Sequence, residues 1–108
     1  MHKSTIATSI PKEVKKRVWE RDHGQCVICG TTYTAAPVAH YIPRSHLGLG
    51  IEQNIVTLCM ACHCDFDNSA KRPYYASVIR RHLQMCYPDW DESKLTYKKY
   101  DALQTYHS

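Results

Sequence analysis

Tyr75, Val78, Ile79, His82, Leu83 and Cys86 recur at i, i+3, i+4, i+7, i+8 and i+11. That spacing lays one apolar stripe along a helix, which Pro88-Asp89 ends. A second helix is predicted over Lys12 to Asp22. Val14 and Val18 stand one turn apart beside Trp19, Pro11 follows Ser9-Ile10 in the first turn, and His23-Gly24 stops the run. The stretch between these helices has shorter patterns. Ala35 to Ile42 suits a short strand that ends before Pro43. Ser45 to Gln53, with Gly48 and Gly50, reads as a loop, and Ile51 to Leu58 returns extended. Met60 to Asn68 is predicted helical. Asp91 to Tyr106 is expected to form a short final helix packed through Leu95, Tyr97, Tyr100 and Leu103. Residues 1–8 show no period and are expected to be disordered.

No repeat, low-complexity tract or linker divides the chain. Its 108 residues fit one domain, expected over 9–108, with a core at 18–68 and a helical extension at 73–108. A domain this small leaves much of its surface wet, so a staple is expected. No stretch approaches the roughly 20 apolar residues of a membrane span. The N-terminus, MHKSTIATSIPKE, lacks the apolar run of a secretory signal. A cytoplasmic, reducing compartment is therefore expected, where paired cysteines more often hold metal than form disulfides. The formal charge of +4 permits a nucleic-acid partner without requiring one. Lys12, Lys15, Lys16, Arg17 and Arg21 make the first long helix basic. Its two readings are a solvated face and a face toward phosphates.

The six cysteines change the picture. Cys26 and Cys29 form one C-x-x-C, and Cys59 and Cys62 another. Two intervening residues let both thiolates of a pair meet one ion, and two such pairs complete a tetrahedral Zn²⁺ site. The rival readings are two disulfides or a redox dithiol, and the second asks for a thioredoxin-like setting that the chain lacks. Cys86 falls on the apolar stripe as a buried thiol. Cys64 follows His63 directly, outside the knuckle spacing, as a spare thiol.

Between and just after these pairs stand His40, at the end of the predicted strand, Asn54, before Ile-Val-Thr-Leu, and His63, opening a helix. His2, His23, His46, His82 and His107 have no comparable setting and read as structural. The motifs are Trp19-Glu-Arg-Asp-His-Gly-Gln-Cys-Val-Ile-Cys-Gly, Ala39-His-Tyr-Ile-Pro-Arg-Ser, Gly48-Leu-Gly-Ile-Glu-Gln-Asn-Ile-Val-Thr-Leu-Cys and Cys62-His63. Together they resemble the HNH endonucleases of the ββα-metal fold, and most closely the small zinc-containing proteins of bacterial viruses. The likeness covers about Val18 to Asn68.

The resemblance implies an α+β fold: a ββα-metal core with a structural four-cysteine zinc and flanking helices. It implies metal-dependent hydrolysis of DNA phosphodiesters, possible in a virus-encoded protein acting in its host. His40 would be the general base, since imidazole titrates near pH 6.5. Asn54 would orient the His40 strand by bonding backbone across the Arg44–Gln53 loop. His63 would hold a single Mg²⁺, Mn²⁺ or other divalent ion. Ala39 departs from the family, many of whose members carry a ligand there. The ion would then lean on His63 and on Asp67, at i and i+4 of one helix face. Arg44, Lys15 and Lys16 are the expected phosphate contacts. The alternative is an inactive zinc module that binds nucleic acid or protein.

Overall fold

The computed structural model describes residues 3–98. Its elements are α1 (Lys3–Thr8), α2 (Lys12–Arg21), β1 (Ala36–His40), β2 (Ile55–Leu58), α3 (Met60–Asn68) and α4 (Arg72–Cys86), with 3-10 turns at Arg44–His46 and Glu92–Lys94. The architecture is α+β: one antiparallel two-stranded sheet with helices packed around it. His40 pairs with Ile55, Ala39 with Val56 and Ala36 with Leu58, the register slipping between Ala36 and Ala39. No helix among the described residues is long and apolar enough to cross a membrane.

Strand β2 is buried along its whole length, because it is sandwiched between two apolar clusters. On one side Val14 and Val18 of α2 close over Ile55. On the other, Val56 and Leu58 meet Phe66 of α3 and the stripe Tyr75, Ile79 and Leu83 of α4. The stripe at i, i+4 and i+8 is thus the face that α4 buries, as its period requires. Tyr41, past β1, tucks its ring edge-on to Trp90, with centroids 5.8 Å apart, and donates its hydroxyl to Glu92.

The loop between the strands is held from inside by Asn54, which is fully buried. Its Oδ1 accepts the Ile42 amide at 2.8 Å, and its Nδ2 donates to the Leu49 carbonyl at 2.8 Å and the Ile42 carbonyl at 3.2 Å. The loop folds back so tightly that any Cβ at Gly48 would overlap the Ile42 carbonyl, and one at Gly50 would overlap that of Ser9. Only glycine fits at these two points.

Two expectations about the chain ends change. Lys3–Thr8 is helical rather than disordered. This segment is fastened by long-range contacts: Thr8 is buried, and the Gly50 amide donates to the Ala7 carbonyl at 3.0 Å. Within the described part of the predicted final helix, residues 91–98, the structure places the 3-10 turn Glu92–Lys94. The chain then runs extended, with Thr96 bridging Gly48 and the Tyr97 amide donating to the Leu47 carbonyl. Tyr100, Leu103, His107 and His2 lie outside the described residues.

Candidate metal centre and an adjoining basic cleft

The first C-x-x-C closes as a knuckle, with the Gly30 amide donating to the Cys26 carbonyl and the Cys26 amide to the Thr31 carbonyl, both at 2.8 Å. The Val27 amide docks this knuckle on β2 through the Thr57 carbonyl at 3.0 Å. The second pair arises where β2 turns into α3. Cys59 is the N-cap, and its sulfur accepts from the Cys62 amide. The four sulfurs of Cys26, Cys29, Cys59 and Cys62 all lie within 4.8 Å of one another, and Cys29 Sγ is 3.7 Å from Cys59 Sγ. Cys26, Cys59 and Cys62 are buried, whereas Cys29 is exposed.

The donor set fits a metal ion such as zinc or iron. Burial opposes ionisation of Cys26, but the amides of Cys29, Cys59 and Ile28 outweigh it and bring the thiol down to about 7. Burial pushes the Cys62 thiol strongly up, and its sulfur neighbours push it further. Four thiolates so close repel one another unless a cation sits among them, and amide N–H groups aimed at sulfur are the usual second layer of such a site.

Beside this centre opens a cleft of about 810 Å³, lined among others by His40, His63, Asp67, Arg44, Lys15 and Arg72. His40 Nε2 lies 2.8 Å from the Thr8 carbonyl. A carbonyl only accepts, so neutral His40 carries its proton on Nε2 and leaves Nδ1 with the lone pair. Burial lowers the His40 pKa below its ordinary value. The Thr8 carbonyl opposes that shift, while Arg44 and His63 add to it. His63 Nε2 is 3.4 Å from Asp67 Oδ2, and Arg72 reaches the same carboxylate at 3.9 Å. Arg44 is turned toward the N-terminal segment, 3.4 Å from Thr8 Oγ1 and from Ser9 Oγ.

The structure thus gathers His40, His63, Asp67, Arg44 and Lys15 around one cleft, with Asn54 buried beneath the loop. It does not bring Lys16 to the lining, because Lys15 and Lys16 point about 100° apart on a helix. Arg72 and Ser9 line the cleft without having been singled out in the sequence. Ala39 is fully buried in the core, facing away from it. At the expected second ion site only His63 and Asp67 stand as side-chain ligands. The four cysteines are the one cluster of three or more metal-ligating side chains among the described residues.

Fold and site therefore define a small α+β protein with a four-cysteine cluster able to hold a metal. No protein-family model and no solved structure matches the chain. Over 55 residues it is 33% identical to Anaredoxin of Nostoc sp. (strain PCC 7120 / SAG 25.82 / UTEX 2576), a match covering 51% of this chain and 72% of that relative. The chain belongs to the anaredoxin family.

This kinship overturns the nuclease expectation, since the relative bears the name of a redoxin and not of a hydrolase. The endonuclease assignment falls with it, as do DNA binding and the roles of His40 as base and His63 as leaving-group stabiliser. With Ala39 in the core, His40, His46, His63 and Asp67 line the cleft, and no three of them converge closely enough to share one ion.

Proposed function

We propose that this chain is a redox metal-binding protein whose active centre is the four-cysteine cluster. The observation that carries this reading is the meeting of four sulfurs within 4.8 Å, in a chain related to a protein named Anaredoxin. Iron held by four thiolates supplies a one-electron couple tuned by hydrogen bonds to sulfur and by exposure. The chain's own part is to bind and to tune. The amides of Cys29, Cys59 and Ile28 favour the thiolate at Cys26, the Cys62 amide serves Cys59, and burial of three cysteines keeps water from most of the centre.

The second reading is structural zinc in the same cluster. It is favoured by the way the site pins the knuckle, the end of β2 and the start of α3 to one point. The order β1, β2, α3, with His40, Asn54 and His63 at their ends, also supports kinship of scaffold with the HNH fold, without its hydrolytic activity.

The test is metal analysis of protein purified without chelator, followed by anaerobic loading with ferrous iron and voltammetry. One ion per chain and a reversible one-electron wave are expected. Stoichiometric zinc with no wave from the iron form supports the structural reading, and no bound ion in either form defeats both.

A further inference from the structure

We infer that the four-cysteine centre carries a thiol switch, in which hydrogen peroxide joins Cys29 to Cys59 and expels the bound ion. The inference rests on the metal-binding reading of the cluster, but not on which ion fills it.

Three observations lead here. Cys29 is the only exposed member of the four, so a small oxidant arriving from water meets its sulfur first. Its Sγ lies 3.7 Å from Cys59 Sγ, already in contact range for a pair that a disulfide would draw to about 2.05 Å. Cys59 is itself buried, shielded from direct attack yet placed to resolve an oxidised Cys29.

The chemistry balances. The Cys29 thiolate attacks one peroxide oxygen, the O–O bond breaks, hydroxide leaves, and Cys29 becomes a sulfenic acid. The Cys59 thiolate then attacks that sulfur. The S–S bond forms, the S–O bond breaks, and a second hydroxide leaves. Two electrons pass from the two thiolates to peroxide, which is reduced to two hydroxides. Cys26 and Cys62 remain as a two-thiolate site that no longer closes around an ion. Because Cys59 also caps α3, the switch acts where β2 joins that helix.

The competing thiol is Cys64, exposed on α3 but outside the sulfur cluster. The test uses the zinc-loaded full chain treated with stoichiometric peroxide. A colorimetric zinc indicator follows release, and peptide mapping without reduction locates the first disulfide. The expected result is a Cys29–Cys59 linkage forming in step with zinc loss, both reversed by dithiothreitol and added zinc. Cys64→Ser leaves both unchanged. Cys29→His, which keeps a ligating side chain, abolishes peroxide-driven release. Should that variant fail to fold, mapping of the wild type and Cys64→Ser decides the question. A first disulfide to Cys64 or between Cys26 and Cys29, or zinc retained while peroxide is consumed, overturns the switch and leaves the metal reading standing. A chain that takes up no zinc before peroxide is added overturns both.

Discussion

Asp22 Oδ1 lies 2.8 Å from His82 Nε2, a contact that ties the end of α2 to the middle of α4 across 60 residues of chain. The same carboxylate accepts two bonds from Arg21, at 2.8 and 3.0 Å, and the Thr57 amide of β2 at 2.9 Å. Its side chain is fully buried. One carboxylate thereby joins α2 and α4 to β2, the strand that leads into the cysteine cluster.

Burial opposes the charge on Asp22, but His82, Arg21 and the Thr57 amide outweigh it and hold the carboxyl well below the usual range. A depressed carboxylate adds stability that is full above its unfolded value, near pH 4, and fades as pH falls toward the folded value. Asp22→Asn is expected to cost about 2 kcal/mol at pH 7. Urea midpoints measured from pH 7 downward should show the wild-type advantage shrinking below about pH 4. A gap that widens in acid contradicts this role.

Asn54 makes three bonds to backbone in a fully buried position. Asn54→Ala leaves the Ile42 amide and two carbonyls unpaired, and is expected to cost about 3 kcal/mol. Equilibrium denaturation measures it, and a loss below about 1 kcal/mol would place those groups in contact with water.

His40 is covered on its Nε2 side by the N-terminal segment. Removing residues 1–9 uncovers the ring and takes away the Thr8 carbonyl. Burial is the larger influence on this imidazole, so its titration midpoint should rise toward the ordinary value near 6.5. Proton NMR of the imidazole across pH 4–8 reads the shift. A midpoint lower in the truncated chain than in the full one contradicts the assignment of burial as cause.

The parts of this fold that were legible in the sequence are those with a strong local period or spacing. The α4 stripe names its buried face, the predicted Met60–Asn68 helix has the bounds of α3, and the two C-x-x-C pairs name the cluster. What escaped depends on contacts far apart in the chain. Lys3–Thr8 has no apolar period, and its anchors are Gly50 and His40. Arg72 precedes the α4 stripe with no local period to mark it, yet its guanidinium stacks 4.1 Å from the Phe66 ring centroid and reaches the cleft. Arg44 turns to Thr8 and Ser9 of the N-terminal segment, contacts 35 or more residues away that no local pattern signals. Residue types at the cleft suggested hydrolysis because histidine, asparagine and arginine serve several chemistries. Their pattern alone does not separate a nuclease from another protein on a similar scaffold.

Metal-edge X-ray absorption on the loaded protein tests the central claim most directly. Four sulfur neighbours at about 2.3 Å with no nitrogen in the first shell are the predicted result for the zinc form. Nitrogen ligation, or fewer than four sulfurs on the ion, would contradict a centre built from Cys26, Cys29, Cys59 and Cys62.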